Sequence, residues 1–463
     1  DALKNLTLSS INFPIVDVTE MIGLERLSLS STDVETLLLP TTNTLTNLSV
    51  SHHDFGSSLD LSPVPALTNL NIRFADSPLN IDLTSSPVLR DVWLTHNMMT
   101  TVDVTQNPEL NSFRIYDNEL TSLDVTQNLD LFRLDAGQNQ LPSIDLSLNL
   151  DLEYLRLPQN QLPSLDVTNN TQLRIIDIGQ NLFTGTGLDL TQNFQLLQLF
   201  VDNNQIESLN ITQNPDLNYL DISFNLFPGN DILQQFADLS SAHGRLRGAL
   251  IANNNLLFGP IPDFYGLYDP AIQTRRFRLH LAENRFHFGD IETQHLDLLS
   301  LTTTMSIPPS PDWVIDQYTY APQSKVNTID NPSRNAGEDI TLTTTVRGAQ
   351  NHYKWFKDGV EITEAPDAAE YTITDLNTCD AGVYHAEITS DLVPFENSDP
   401  PGTDGRNLLL VRNDITLTVN ATKDCVTLAN PADAATNVPI NTGIEWDDNR
   451  GACGYKISVG TTI

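Results

Sequence analysis

The 463-residue sequence has few basic residues, few cysteines and no long apolar run. It contains 24 Lys plus Arg against 59 Asp plus Glu, a formal charge of -35. This acidity argues against nucleic acid or an anionic membrane as a partner. Because no run of 18 apolar residues occurs, we do not expect a helix inserted directly in a membrane. The three cysteines are too few for a zinc site built from thiolates.

Motifs typical of common enzymes are also absent. The sequence contains no H-E-x-x-H, G-x-S-x-G or P-loop motif and no paired C-x-x-C motif. We therefore expect no enzymatic activity and no cofactor.

A frame of leucines and asparagine recurs about every 21 residues through the first two thirds of the chain. The frame L-x-x-L-x-L-x-x-N-x-L places asparagine at 97, 118, 139, 160 and 181. Its first leucine position falls at residues 3, 24, 45, 67, 89, 110, 131, 152, 173, 196, 217, 246 and 276, which predicts thirteen turns of a solenoid. Apolar residues alternate with period two in each turn, so we expect short strands, an aliphatic core and asparagines bonded to the buried backbone. The last intervals are stretched and 231–237 has apolar residues at helical spacing, which predicts that the last turns carry helices on their convex side.

This repeat resembles the short leucine-rich repeats of bacterial surface proteins, which are internalin-like in style and common in Bacteroidetes. The resemblance covers about residues 1–290. It implies a mostly β fold, with a solenoid and its C-terminal cap over 1–306, and a secreted or cell-surface location. It also implies binding of a macromolecule, although such solenoids serve many different partners.

Further modules are predicted after the solenoid. Residues 307–320 are proline-rich and are interpreted as a linker. Residues 321–419 resemble an immunoglobulin-like sandwich, with a core Trp355 followed by an Asp-x-Gly-x-Tyr motif. The positions of the usual inter-sheet disulfide are Thr344 and Ala386, so we expect packing alone to hold the two sheets together.

Residues 420–463 resemble the opening strands of a fibronectin type III module. A complete module needs about twice this length, so we interpret this segment as an incomplete β-sandwich module. Cys425 and Cys453 flank the strand of Trp446, and we expect them to form a disulfide in an oxidising extracellular setting. Cys379 is expected to remain a free thiol.

Acidic residues recur at one position of successive turns, namely Asp60, Asp82, Asp103, Asp124, Asp145, Asp166 and Asp189. Like charges about 5 Å apart repel, so a bound calcium ion would relieve the repulsion. Because the glycine-rich nonapeptides of calcium-binding β-rolls are absent, we favour a solvated acidic flank. His52 and His53 precede Asp54 in the third turn. We interpret them as a solvated turn in which His53 replaces the usual asparagine, with metal ligation as the less favoured alternative.

The strands of the concave face carry arginine and aromatic residues, the types that contribute most to binding energy at interfaces. The predicted ligand-binding residues are Arg73, Trp93, Arg114, Tyr116, Arg133, Tyr154 and Arg156. A second explanation remains open. Arg114, Asp135, Arg156 and Asp177 alternate in sign along neighbouring strands and would form a salt-bridge ladder that only neutralises the face.

We interpret the chain as a recognition or adhesion protein that binds a protein or glycan ligand, acidic or sulfated, on the concave face. The alternative is a carbohydrate-binding accessory protein in polysaccharide degradation. In that function Trp93, Tyr116 and Tyr154 would stack on sugar rings.

Overall fold

The computed structural model describes residues 3–10, 13–55, 59–185, 187–242, 248–264, 278–303, 318–393, 408–421, 428–430 and 445–446. The chain divides into two compact units. The first unit comprises Asp1–Leu257, Ile261–Leu281 and Asp297–Tyr318, and the second comprises Phe258–Pro260, Ala282–Leu296 and Thr319–Ile463.

The first unit is built mainly from short strands. In chain order its elements are β1 (Asn5–Ser9), β2 (Ile15–Asp17), β3 (Arg26–Val34), β4 (Thr36–Leu38), β5 (Asn47–His53), β6 (Asn69–Ala75), β7 (Asp91–Trp93), β8 (Ser112–Arg114), β9 (Arg133–Asp135), β10 (Tyr154–Arg156), β11 (Ile175–Asp177), β12 (Thr184–Gly185), β13 (Gln198–Phe200), β14 (Gln205–Ile206), β15 (Tyr219–Asp221), β16 (Pro228–Gly229), α1 (Asp231–Ala242), β17 (Ala249–Ile251), β18 (Leu256–Leu257) and β19 (Arg278–His280). The helix α1 confirms that 231–237 is helical, as its apolar spacing predicts.

Thirteen of these described strands form one parallel sheet, in the order β1-β3-β5-β6-β7-β8-β9-β10-β11-β13-β15-β17-β19. The register aligns the second leucine position of neighbouring turns, so that Leu134 pairs with Phe113 on one side and with Leu155 on the other. The predicted frame is wrong by one residue in the twelfth turn. There Leu250 pairs with Leu220, which places the first position of that turn at 247 and not at Leu246.

Alternate side chains of the sheet strands are buried, because side chains in a strand point to opposite faces. In β8, Phe113 is buried while Ser112 and Arg114 are partly exposed. The outward side chains of the thirteen strands form a surface that we call the sheet face, which corresponds to the predicted concave face. The mostly β, repeating fold is therefore as predicted.

Buried asparagines join successive turns, as predicted. In the first column Asn139 donates from Nδ2 to the carbonyls of Ile115, Ala136 and Gly137 at 3.0 to 3.1 Å. Its Oδ1 accepts a hydrogen bond from the Leu120 amide at 3.0 Å. Within the first unit, the buried asparagines of this column are Asn97, Asn118, Asn139, Asn160, Asn181, Asn204, Asn225 and Asn255.

A second asparagine column lies at the other bend of each turn. Asn149 donates from Nδ2 to the carbonyls of Val125 and Asn128, both at 2.9 Å. Its Oδ1 has no hydrogen-bond partner in the described structure. The members of this column are Asn107, Asn128, Asn149, Asn170, Asn193 and Asn214.

The acidic column consists of residues that cap turns. Each carboxylate accepts a hydrogen bond from the backbone amide two residues later, at 2.8 to 3.0 Å. Hydrogen bonds from the hydroxyl and the amide of Thr105 lower the pKa of Asp103. The recurrence of aspartate thus has a local structural cause. Among the residues that the structure describes, no group of three or more His, Cys, Asp or Glu side chains is arranged to hold a metal ion.

His53 is buried, so the prediction of a solvated turn at this residue is wrong. Its side chain is fully enclosed and its ring stacks on Phe55 with the centroids 4.4 Å apart. Neither ring nitrogen has a hydrogen-bond partner in the described structure. Burial lowers the pKa of His53 to about 4, so the ring is neutral at pH 7. His53 therefore belongs to the core, at the position that asparagine fills in later turns.

The second unit holds most of the remaining elements. These are α2 (Phe288–Thr303), which runs across the boundary between the units in sequence, β20 (Tyr318–Thr319), β21 (Ser333–Asn335), β22 (Ile340–Thr343), β23 (Asn351–Lys357), β24 (Val360–Glu361), β25 (Glu370–Ile373), a 3-10 turn (Thr378–Asp380), β26 (Gly382–Ser390), β27 (Leu410–Val411), β28 (Ile415–Asn420), β29 (Leu428–Asn430) and β30 (Glu445–Trp446). Neither α1 nor α2, the helices of the described residues, has the length and apolar character needed to cross a membrane.

The strands of the second unit form a larger sheet, β21-β28-β26-β23-β24 with β27 beside β26, and two two-stranded sheets, β22-β25 and β29-β30. Trp355 is fully buried opposite Ala386, and its indole Nε1 donates to the carbonyl of Ala368 at 3.1 Å. The Tyr384 hydroxyl donates to the carbonyl of Asp380 at 2.7 Å. Trp355 is therefore buried as predicted, Tyr384 is the tyrosine of the Asp-x-Gly-x-Tyr motif, and the immunoglobulin-like class stays a prediction.

Cys379 is disulfide-bonded, so the prediction that it remains a free thiol is wrong. Cys425 and Cys453 lie outside the described residues. Most of 307–320 and of 420–463 also lies outside the described residues, and the predicted domain boundaries stay predictions.

Candidate functional site

Neighbouring strands bring most of the predicted ligand-binding residues together on the sheet face. One column, in register along β6 to β11, runs Asn71, Trp93, Arg114, Asp135, Arg156 and Asp177. A second column, along β7 to β10, runs Asp91, Ser112, Arg133 and Tyr154. Register partners on adjacent strands lie about 5 Å apart, so these side chains are direct neighbours. Four of them, together with Arg73, which lies two residues beyond Asn71 on β6, form what we call the Arg–aromatic cluster: Arg73, Trp93, Arg114, Arg133 and Tyr154.

Trp93 is flanked by two guanidinium groups. The Cζ atom of Arg73 lies 5.1 Å from the centroid of the indole, and that of Arg114 lies 4.4 Å from it. Because β7 lies between β6 and β8, each neighbouring strand supplies one of the two cations. Contacts of this kind stabilise by roughly 0.5 to 1 kcal/mol at exposed sites and more where water is excluded. The indole therefore holds two long side chains in defined positions.

Tyr154 forms a similar contact three strands further along the sheet. The Cζ atom of Arg133 lies 4.5 Å from the centroid of the phenol ring. The ring of Phe132 also packs against Tyr154, with the centroids 5.1 Å apart. Arg133 is thus held on an aromatic ring, as Arg73 and Arg114 are.

The predicted salt-bridge ladder is formed only in part. Arg156 donates from Nε and Nη2 to one carboxylate oxygen of Asp177, at 3.2 and 3.1 Å. Arg114 lies 3.5 Å from the carboxylate of Asp91 and forms no ion pair with Asp135. Burial raises the pKa of both Asp135 and Asp177. The described face is therefore not a continuous row of paired charges.

Arg73 and Arg133 differ from the arginines around them, because neither forms an ion pair with a carboxylate of the described structure. Nearby, Arg90 binds Glu109 at 2.7 Å and Arg174 lies 3.6 Å from Glu153. In the described structure ion pairs form at Arg90, Arg114, Arg156, Arg174 and Arg347, whereas guanidinium groups without an ion pair also occur outside the cluster, for example at Arg26. Arg73 and Arg133 are fixed on aromatic rings and are available to an anionic group of a ligand.

Tyr116 lies in a different cluster of rings, which sequence reasoning missed. His52, Phe74, His96 and Tyr116 contact one another in succession, with centroids 5.0, 4.6 and 5.4 Å apart. The first three have φ values of 59°, 61° and 60°, a left-handed conformation that bulky residues rarely adopt. Later turns fill the same position with residues such as Gln138. Aromatic side chains in successive turns, at a position that is polar in most later turns, were the signal in the sequence.

An acidic cleft of about 860 Å³ lies beside the cluster, at the end of the sheet face where the strands begin. Its lining includes the carboxylates of Asp91, Glu109, Asp130, Asp151 and Glu153. An anionic ligand is repelled by these carboxylates. The guanidinium groups of the Arg–aromatic cluster are the more favourable place for its charge.

No family model and no curated protein matches this chain. Among solved structures, the chain is similar to the functional domain of InlJ from Listeria monocytogenes, with a TM-score of 0.59 and 19% identity over 90% of this chain and 86% of that one. It is also similar to the internalin InlF from Listeria monocytogenes, with a TM-score of 0.44 and 21% identity over 61% and 82% of the two chains. For the leucine-rich-repeat protein LIC12759 from Leptospira interrogans the TM-score is 0.46 and the identity 17%, over 63% and 87%. At these identities the likeness to InlJ shows the fold alone, a mostly β solenoid of leucine-rich repeats.

Proposed function

We propose that this chain is a secreted or cell-surface recognition protein that binds a protein ligand on the sheet face. The observation that carries the proposal is the Arg–aromatic cluster, in which two aromatic rings hold three guanidinium groups. Arginine, tryptophan and tyrosine are the residues in which binding energy is most often concentrated at interfaces. Side chains that are already fixed lose less entropy on binding, which favours affinity.

The spacing of the unpaired cations favours a macromolecule over a small anion. Arg73 lies on β6 and Arg133 on β9, three strands away in the sheet. At about 4.8 Å per strand the two residues are about 14 Å apart across the sheet. The register partner of Arg133 on β6 is Asn69, and Arg73 lies four residues further along that strand. At about 3.3 Å per residue, the two backbones are therefore about 20 Å apart. An extended ligand with several carboxylates contacts both groups, whereas a single carboxylate contacts one. We therefore infer an acidic segment of a protein as the ligand.

The alternative, a carbohydrate-binding accessory protein, is less favoured by the ring contacts. It requires free ring faces on Trp93, Tyr116 and Tyr154. Guanidinium groups lie over the rings of Trp93 and Tyr154, and Tyr116 packs against His96. These rings are therefore poorly placed as platforms for stacking sugars.

We further propose that 321–419 is an immunoglobulin-like spacer or secondary contact module. The buried Trp355 and the hydrogen bond from Tyr384 to Asp380 support this class. The fibronectin type III-like class of 420–463 and the Bacteroidetes-type origin rest on the resemblance of the sequence.

The test is a pull-down from host-cell and neighbouring-cell extracts, followed by affinity measurements with the captured protein. We expect the double variant Arg73→Ala, Arg133→Ala to bind at least about a hundredfold more weakly, since each charged hydrogen bond contributes about 1.5 to 3 kcal/mol. Arg26→Ala is the matched control, because Arg26 occupies the strand position of Arg133 in β3, outside the cluster. We also expect affinity to fall as salt concentration rises.

Parental affinity of the folded double variant contradicts the proposal. A second outcome is the capture of a sulfated glycan whose binding also depends on Arg73 and Arg133. In that case the sheet face is still the binding surface, but the ligand is a glycan and not a protein.

A further inference from the structure

A small pocket lies on the sheet face beside Trp93, over strands β5 and β6. Its volume is about 260 Å³, and it is lined by Asn47, Leu48, Ser49, Asn69, Leu70, Asn71, Asp91, Trp93 and Arg114. We call it the asparagine pocket. At about 30 Å³ per water molecule its volume equals that of about nine waters, which is room for one ring and not for a chain of rings.

Two asparagines of the asparagine pocket, Asn47 and Asn69, form side-chain hydrogen bonds through their oxygen atoms alone. The Thr46 hydroxyl donates to Asn47 Oδ1, and the Thr68 hydroxyl donates to Asn69 Oδ1, both at 2.9 Å. Within the described residues neither Nδ2 group donates a hydrogen bond. The amide groups of these neighbouring strands therefore remain available as donors to a ligand.

A third observation identifies the kind of group that the asparagine pocket requires. Asn71 Oδ1 and Trp93 Nε1 are both shielded from solvent and have no hydrogen-bond partner in the described structure. The two residues are register neighbours on β6 and β7. One atom is an acceptor and the other is a donor. A hydroxyl group satisfies both, because it donates and accepts, whereas a carboxylate only accepts and an ammonium only donates.

We propose that the asparagine pocket binds one ring of a neutral sugar carried by the ligand. The inference rests on the proposed function, since it takes the sheet face as the ligand surface. An apolar side chain would leave the buried amide oxygen and indole N–H unpaired, as they are in the free chain, whereas a hydroxyl group that pairs with them contributes about 0.5 to 1.5 kcal/mol for each hydrogen bond. A sugar ring has hydroxyl groups around most of its edge, so one ring can form hydrogen bonds with the amide groups of Asn47 and Asn69 and with Asn71 Oδ1 and Trp93 Nε1 at the same time. This contact uses the polar edge of Trp93 and does not require a free ring face.

The experiment combines an array of neutral oligosaccharides with titration of free glucose, galactose, mannose and N-acetylglucosamine. Tryptophan fluorescence reports binding, and Trp93→Phe identifies the part of the signal that comes from Trp93. We expect at least one neutral sugar to bind with a Kd in the range of about 1 to 10 mM. Asn71→Ala and, independently, Asn69→Ala should each weaken this binding roughly tenfold.

Asn5→Ala is the matched control, because Asn5 occupies the strand position of Asn69 in β1, outside the pocket. Circular dichroism checks that each variant is folded, and Asn69→Ala provides the test if Asn71→Ala does not fold. The inference is wrong if no neutral sugar binds, or if folded Asn71→Ala and Asn69→Ala bind the sugar as the parent does. It is also wrong if an enzymatically deglycosylated ligand keeps its affinity while Asn71→Ala still weakens it, because a peptide side chain then fills the pocket.

Failure of the proposed function is recognised separately. It shows as an affinity for the protein ligand that does not depend on Arg73 and Arg133, whatever the sugar titrations give.

Discussion

Replacing one asparagine of the first buried column tests what holds neighbouring turns together. Asn139→Ala removes the Nδ2 bonds to the carbonyls of Ile115, Ala136 and Gly137. It also removes the acceptor of the Leu120 amide at 3.0 Å. Asn139 is 8% exposed, so water has little access to the groups that lose their partners.

The cost follows from the number of bonds that are lost. The two hydrogens of Nδ2 are shared among three carbonyls, and Oδ1 accepts one further bond, which is equivalent to about three hydrogen bonds. At about 1 kcal/mol each, we expect Asn139→Ala to lower the free energy of unfolding by about 3 kcal/mol. Asn149→Ala removes two bonds, to Val125 and Asn128, and should lower it by about 2 kcal/mol.

Hydrogen exchange followed by mass spectrometry is the suitable assay, because a solenoid opens locally and each turn contacts only its neighbours. Exchange should accelerate in the turns between 115 and 141 and much less in distant turns. Gln140→Ala is the control, since Gln140 is exposed next to Asn139, and it should change stability by less than about 0.5 kcal/mol. If Asn139→Ala exchanges like Gln140→Ala, the asparagine column does not hold the turns together.

Three further predictions concern pH, packing and redox state. The pKa of the His53 side chain is 6.5 in the unfolded chain and about 4 in the folded one. Between these two pH values the unfolded chain binds a proton that the folded chain does not. The free energy of unfolding should therefore fall by about 3 kcal/mol as the pH decreases from 6.5 to 4. Urea unfolding at pH 7 and pH 4.5 should show a smaller fall for His53→Asn, and equal falls contradict the effect of burial. Trp355→Ala should lower the free energy of unfolding of 321–419 by about 3 to 5 kcal/mol. This segment should then become sensitive to protease while the solenoid stays resistant, and a variant as resistant as the parent contradicts the prediction. Peptide mapping without reduction should find Cys379 in a disulfide, and a free Cys379 contradicts the structure.

The sequence predicted the register of the solenoid because one spacing recurs many times. A repeated leucine frame determines which residues are neighbours on adjacent strands. Trp93 and Arg114 occupy the same position of successive repeats, so their adjacency could be predicted from the repeat spacing. The exception is the twelfth turn, where the repeat is stretched and a leucine stands at 246, one residue before the true position.

The contacts of long side chains could not be predicted in this way. Arg114 has carboxylates on both sides, and the structure pairs it with Asp91 and not with Asp135. That choice depends on the rotamers permitted beside the ring of Trp93, which a spacing does not encode. The burial of His53 also depends on its contact with Phe55, since a histidine in a polar bend is usually solvated.

The most direct test of the proposed binding surface is the affinity of a folded Trp93→Ala variant for the captured protein ligand. Removing the indole releases both Arg73 and Arg114, so we expect a loss of at least about 2 kcal/mol, or roughly thirtyfold. Arg26→Ala, measured beside it, should bind like the parent. Parental affinity of the folded Trp93→Ala variant contradicts the proposal that this cluster binds the ligand.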